Sequence, residues 1–163
     1  FKELVKALKN EDGRKIVANY GLDPKLGKYH RTYCDACNST IQTKEPVEVC
    51  PYCGSSKVTF GVFDRIELIK DKKESVSPKS RPDYIYQTPL GFVPGLGNKT
   101  IEKLLDNFET EMNILHKLSF DDIEAVVGTK LATIIDESRK GRLQIEAGGG
   151  GNYGKVSTKT LDN

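Results

Sequence analysis

The stretch Pro94-Gly95-Leu96-Gly97-Asn98-Lys99-Thr100-Ile101-Glu102-Lys103-Leu104-Leu105-Asp106-Asn107-Phe108 decides how the second half of this chain is read. Two glycines spaced by one apolar residue let the backbone turn sharply and come close to something outside the chain. Ile101, Leu104, Leu105 and Phe108 then recur at i, i+3, i+4 and i+7, which places a helix directly after the turn. Backbone N–H groups at a glycine-bordered helix start are a ready site for a phosphate oxygen. An ordinary tight turn between two core helices is the plainer reading of a Gly-x-Gly.

Pro-Gly-Leu-Gly, the following Lys99-Thr100 and the periodic helix together favour a helix-hairpin-helix, a module that grips the DNA backbone without reading sequence. The candidate DNA-binding residues are therefore Gly95, Leu96, Gly97, Asn98, Lys99, Thr100 and Lys103, with the two lysines adding charge. A second, degenerate hairpin follows, without the Gly-x-Gly. Ser119 and Asp122 resemble a capping box, Ile123–Val126 is helical, Val127-Gly128 turns, and a helix bearing Leu131, Ile134 and Ile135 ends at Gly141. It reads as a packing partner for the first copy. Thr88-Pro89 suits an N-cap and first-turn proline, so the C-terminal half is expected to be helical throughout.

Four cysteines stand in two close pairs, Cys34-x-x-Cys37 and Cys50-x-x-Cys53. Each pair can form a knuckle in which two thiolates and the amides of one turn face a single ion, and Pro51 and Gly54 tighten the second turn. Two knuckles give a sulfur tetrahedron that suits structural zinc, closed to water and so unable to hydrolyse anything. Iron is the lesser alternative, because Cys-Pro-Tyr-Cys-Gly with Phe60 also resembles the rubredoxin-like domain of rubrerythrins. No Glu-x-x-His helices accompany it, as a diiron partner would require. A structural or electron-transfer scaffold is the corresponding alternative function. Two short-loop disulfides are the minor alternative, and paired thiols with none left over point to a reducing, cytoplasmic compartment.

The chain has 163 residues, 37% hydrophobic and 29% charged, with a net charge of +2. No overall basic field draws it to nucleic acid, so DNA contact has to come from local geometry. No apolar run approaches a membrane span, and no membrane partner is expected. The fold class expected is α+β: a four-cysteine, zinc-ribbon-like module followed by an all-helical helix-hairpin-helix domain and preceded by a short α/β remnant. The divisions fall at 1–28 (a helix carrying Leu4, Val5 and Leu8, then a strand at Ile16-Val17-Ala18), 29–71, a Lys/Ser/Pro linker at 72–82, 83–147, and a glycine-rich tail at 148–163. Phe63–Lys70 is expected as helix, with strand as its competitor. The run Gly148–Gly151 reads as a flexible tail, since no Gly-Lys-Ser/Thr follows it. His30 and His116 receive no catalytic role.

Taken together, Gly27-Lys28-Tyr29-His30, the two cysteine pairs, Asp64-Arg65-Ile66, Pro94–Thr100, Thr110-Glu111-Met112-x-Ile114-Leu115-His116 and Gly148–Gly151 through Tyr153-Gly154-Lys155-Val156 resemble the C-terminal part of the endonuclease Q family. The resemblance implies a DNA-repair nuclease that nicks beside deaminated bases such as uracil and hypoxanthine and at abasic sites. It implies lesion-containing duplex DNA and an upstream metal-dependent phosphoesterase domain as partners. The histidine-rich ligands of that domain are not in this sequence, which has two histidines, so no catalytic residue is assigned here. Family members often carry an extra histidine-containing stretch before the first cysteine, where this chain has Arg31-Thr32-Tyr33. The hairpin also resembles that of DNA glycosylases of the endonuclease III group, which would make Lys99 a nucleophile with Asp121 or Asp122 as the nearest carboxylates.

Overall fold

The computed structural model describes residues 1–43, 45 and 47–160, with backbone alone at 159 and 160. Helix α1, Lys2–Lys9, ends where Asn10 takes a left-handed conformation at φ 57 and returns its N–H to the last turn. None of its residues is buried, and Leu4 and Leu8 remain exposed on its apolar face. The strand expected at 16–18 lies slightly later, as β1 at Ala18–Leu22. Strands β2, Tyr33–Cys34, β3, Ser39–Thr40, and β4, Val58–Thr59, form a small antiparallel sheet in the order β3-β2-β4. Helix α2 follows at Val62–Ile69, where helix rather than strand is realised.

The expectation of helix throughout 83–147 is overturned at both ends. Strand β5, Asp83–Gln87, pairs in parallel with β1 from Ala18↔Asp83 to Leu22↔Gln87. Strand β6, Leu143–Glu146, pairs antiparallel with β7, Lys155–Thr160. Strand β6 alternates apolar with polar residues, the strand period rather than the helical one, and β5 carries the aromatic and β-branched run Tyr84-Ile85-Tyr86, residues that favour strands. The capping expected of Thr88 is also corrected. Pro89 occupies the cap position and a single 3-10 turn, Leu90–Phe92, follows, with the Leu90 N–H donating to Glu111 Oε1 at 2.6 Å. Gly91 and Pro94 leave no room for a longer helix.

Between these strands, α3 (Asn98–Phe108), α4 (Glu111–His116), α5 (Phe120–Val127) and α6 (Thr129–Arg139) enclose the larger core. Leu90, Val93, Leu96, Leu104, Ile114 and Ile135 are among its buried members. The capping box forms as expected: Ser119 Oγ accepts from the Asp122 N–H at 3.2 Å while Asp122 accepts from the Ser119 N–H at 3.1 Å. Gly141 follows α6 at φ 66, the left-handed position that favours glycine.

Residues 148–154, expected as a flexible tail, are built into the fold. The Gly148 N–H donates to Lys25 O at 2.8 Å, the Arg31 N–H to Gly148 O at 2.9 Å, and the Gly154 N–H to Leu26 O at 3.0 Å. A Cβ on Gly154 would lie 2.6 Å from both Lys25 O and Glu146 O, so the run is glycine because backbones approach too closely for side chains. Among the described residues, no helix is long and apolar enough to cross a membrane.

Candidate functional site

The knuckles converge as their spacing predicts. The Sγ atoms of Cys34, Cys37, Cys50 and Cys53 all lie within 4.8 Å of one another. Cys34 Sγ is 3.6 Å from Cys53 Sγ, and Cys37 Sγ is 3.7 Å from Cys50 Sγ. A disulfide would need about 2.05 Å. A tetrahedron with metal–sulfur bonds of about 2.3 Å has edges of about 3.8 Å, which the observed spacings fit. Burial raises the Cys50 thiol, but the N–H groups of Tyr52 and Cys53 and the neighbouring thiols outweigh it and bring the group down to about 7. Amides aimed at a sulfur in this way favour the thiolate. At Cys53, by contrast, the Ser55 N–H is outweighed by burial and the neighbouring thiols, which push the group up to about 12. Without an ion between them, the four thiols therefore do not all ionise together. Cys34 and Cys50 are buried, packed with Ile41 in a small core of their own.

The module is pinned from α2. Asp64, buried at 5% exposure, accepts through Oδ2 from the Thr32 N–H and Thr32 Oγ1, both at 2.7 Å. Its other oxygen pairs with Arg31 Nε at 3.1 Å, and Arg31 Nη2 donates to Thr43 O at 2.9 Å. Gly61 donates to Thr32 Oγ1 at 3.1 Å, and a Cβ there would overlap the Arg31 and Thr32 backbone. The importance of Asp64 was not legible in its own segment, because its partners lie in an earlier loop. The rings of His30 and Phe63 stack with centroids 5.3 Å apart, away from the four sulfurs. Burial, then Arg31, holds His30 below its usual value.

The glycine corner is shaped by two constraints. Gly95 has φ 85, and Leu96 is buried in the helical core, so the chain turns outward and back within two residues. Gly97 caps α3 with no side-chain hydrogen bond. Thr100 and Ile101 donate to Gly97 O at 2.9 and 3.1 Å. Among the described residues, the N–H groups of Gly95, Gly97, Asn98 and Lys99 meet no acceptor. A Cβ on Gly97 would touch nothing within 4 Å, so the corner faces open space. Asn98 and Lys99 are exposed and Thr100 is half-buried.

Lys103 stands apart from that corner's amides in its bonding: its Nζ donates to Val126 O at 2.6 Å, closing the C-terminal end of α5. The pair α5-Gly128-α6 packs against the Gly95 corner, with Leu131 Cδ2 placed 3.3 Å from where a Gly95 Cβ would be. Asp122 is committed to its capping box, and Lys99 forms no ion pair among the described residues. His116 Nε2 lies 2.9 Å from Gln87 Oε1 and its ring packs on Tyr20 at 4.7 Å, a bridge between helical core and two-stranded sheet.

No protein-family model matches the chain. It is 47% identical over 156 residues to the uncharacterized protein YqxK of Bacillus subtilis (strain 168), covering 96% of this chain and 39% of that protein. It is 37% identical over 172 residues to the uncharacterized protein MJ0043 of Methanocaldococcus jannaschii, covering 98% of this chain and 21% of that protein. Among solved structures it resembles the lesion-specific endonuclease PfuEndoQ from Pyrococcus furiosus, with a TM-score of 0.77 and 37% identity over 96% of this chain and 41% of the other. It also resembles Endonuclease Q in complex with a 27-mer duplex substrate with an abasic lesion at the active site, with a TM-score of 0.79 and 36% identity over 98% of this chain and 42% of that one. The chain thus spans about two fifths of the length of these endonucleases and of YqxK, and about a fifth of MJ0043.

Proposed function

We propose that this chain, similar to endonuclease Q along nearly its whole length, is the DNA-gripping and zinc-stiffened portion of a repair endonuclease acting at deaminated bases or abasic sites. The observation that carries the reading is the open corner at Gly95–Lys99, where the amides of Gly95, Gly97, Asn98 and Lys99 meet no acceptor among the described residues and lie at the start of an 11-residue helix. Such a corner is the central element of a helix-hairpin-helix. Its N–H groups take phosphate oxygens, the partial positive charge of the helix start adds attraction, and Lys99 supplies a mobile cation. These contacts hold the backbone and carry no sequence information, as suits an enzyme whose lesions occur in any context.

Cys34, Cys37, Cys50 and Cys53 would hold the zinc, whose contribution when bound is structural: a closed four-thiolate shell. The chain's own residues transmit that rigidity, since the Asp64 carboxylate ties the cysteine sheet to α2. A phosphoesterase domain would supply the cutting chemistry. The exposed apolar residues of α1 and α2, Leu4, Leu8, Ile66 and Ile69, offer it a surface to cover.

NMR titration with a duplex containing an abasic site tests the reading. The amide signals of Gly95, Gly97, Asn98 and Lys99 are expected to move, with an affinity of roughly 10⁻⁴–10⁻⁶ M that weakens as salt rises. Amides that stay in place at saturating duplex would overturn it.

A further inference from the structure

The two-stranded sheet β1/β5 is parallel, a pairing that proteins ordinarily cover on both faces. One of its faces carries Asn19 and Gly21 from β1 beside Tyr84 and Tyr86 from β5, in the register Asn19↔Tyr84 and Gly21↔Tyr86. The two tyrosine rings lie 4.9 Å apart, and they are 51% and 59% exposed. Glycine at 21 is what allows this arrangement, since a Cβ there would overlap the Tyr84 hydroxyl.

The exposed segment leading into β5 contributes to a cleft on this face. Ser75, Ser77 and Arg81 from the segment, with Asn19, Tyr84 and Tyr86 from the sheet, line a cleft of about 470 Å³. That size lies in the range of small-ligand sites, about 300–1,000 Å³. Asp83 adds a carboxylate to the lining. The charge of the segment is distinctive. Residues 71–82 contain Lys72, Lys73, Lys79 and Arg81 against Asp71 and Glu74, so this short segment by itself carries a net charge equal to the +2 of the whole chain. Exposed aromatic faces beside a cationic strap are how proteins hold unpaired nucleic acid, with bases stacked on rings and the backbone beside cations.

We propose that this cleft binds an unpaired nucleotide of a DNA strand, its base against Tyr84 or Tyr86 and its phosphate on Arg81. The inference rests on the DNA-repair reading above, and it adds a second contact separate from the Gly95–Lys99 corner. The guanidinium fork suits a phosphate, and the Asn19 amide and the two serine hydroxyls can donate to or accept from any base edge. Stacking tolerates every base, so the site would hold a displaced nucleotide irrespective of sequence. Enzymes that act on a damaged base take nucleotides out of the duplex stack, which creates this ligand.

The test uses the 163-residue chain and two fluorescein-labelled probes, an oligothymidylate of about twelve nucleotides and a blunt duplex of similar length, read by anisotropy. Tyr84→Ala/Tyr86→Ala and Arg81→Ala are each expected to weaken oligothymidylate binding roughly fivefold or more while duplex binding stays unchanged. Gly97→Ala is expected to do the reverse. Oligothymidylate binding equal in parent and variants, or lost in step with duplex binding, overturns the cleft. So does a parent that binds duplex alone. A parent that binds neither probe removes the DNA-repair reading as well, so the two failures are distinguishable. Should the tyrosine variants unfold, photocrosslinking of the parent with a 5-iodouracil oligonucleotide decides. Adducts on Tyr84 or Tyr86 support the site, and adducts confined to other residues overturn it.

Discussion

Thr32 and Asp64 are joined twice at a single oxygen: Asp64 Oδ2 takes both the backbone N–H and the side-chain hydroxyl of Thr32, each at 2.7 Å. Thr32 lies two residues before the first cysteine, so this bond ties the start of the four-cysteine module to the helix that follows it. Asp64→Ala would leave Arg31 Nε and the Thr32 donors without their acceptor. Removing one partner of a buried pair costs about 3–5 kcal/mol. Urea unfolding of the variant is expected to show a loss near that size, and an unchanged midpoint would mean that the pin is dispensable.

Metal removal should separate the two cores. The cysteine core and the helical core share no buried residue. A four-thiolate zinc site contributes on the order of 10 kcal/mol to folding. Chelation is therefore expected to release one ion per chain and to abolish slow amide exchange around Ile41 and Val58, while the amides of Leu104 and Ile135 stay protected. Collapse of both sets together would contradict this independence.

Gly95 and Gly97 should respond differently to one added methyl. Gly95 sits at φ 85 with Leu131 Cδ2 only 3.3 Å from a would-be Cβ, so Gly95→Ala is expected to cost about 1–2 kcal/mol of stability. Gly97 has φ −83 and open space, so Gly97→Ala should fold as the parent does. On the proposed reading, its methyl would instead stand in the path of a phosphate and weaken duplex binding. Thermal melts paired with anisotropy titrations read both effects.

Gly148→Ala probes whether the glycine run is architecture. The new Cβ would overlap Gly27 O and lie 2.7 Å from both Asn152 O and Gly154 N, all backbone. Overpacking of this kind costs about 1–3 kcal/mol. A fall in melting temperature is expected, whereas a loose tail would accept the methyl without change.

Lys99 should not act as a nucleophile. It is exposed and forms no ion pair among the described residues, while Asp122 is held in its capping box. Activated lysines need desolvation or a neighbouring charge to lower their affinity for the proton. Borohydride treatment with abasic DNA is expected to trap no adduct, and a Lys99-dependent adduct would restore the glycosylase-like reading of Lys99 as a nucleophile.

Much of the candidate site was legible residue by residue. The Cys-x-x-Cys spacings anticipated the sulfur cluster, the Ser119/Asp122 pattern anticipated its capping box, and the stripe from Ile101 to Phe108 anticipated α3. The capping box and the stripe are local relations, complete within one or two turns of chain, as is each cysteine pair taken by itself. The strands at 83–87 and 143–146 were missed in favour of helix, because four or five residues give too short a pattern to separate the two periods when helices flank them.

Spacing alone determined that this chain has two Cys-x-x-Cys knuckles and a glycine corner opening a helix, since each depends on neighbours in sequence, whereas Cys34 meets Cys53 across 19 residues of chain. Tertiary structure alone decided that β5 lies against β1, that Lys103 closes α5, that Asp64 holds Thr32, and that Gly148–Gly154 is packed rather than loose. These are encounters between distant segments, and no local preference encodes which backbone will come close enough to exclude a side chain or which carbonyl will meet a lysine.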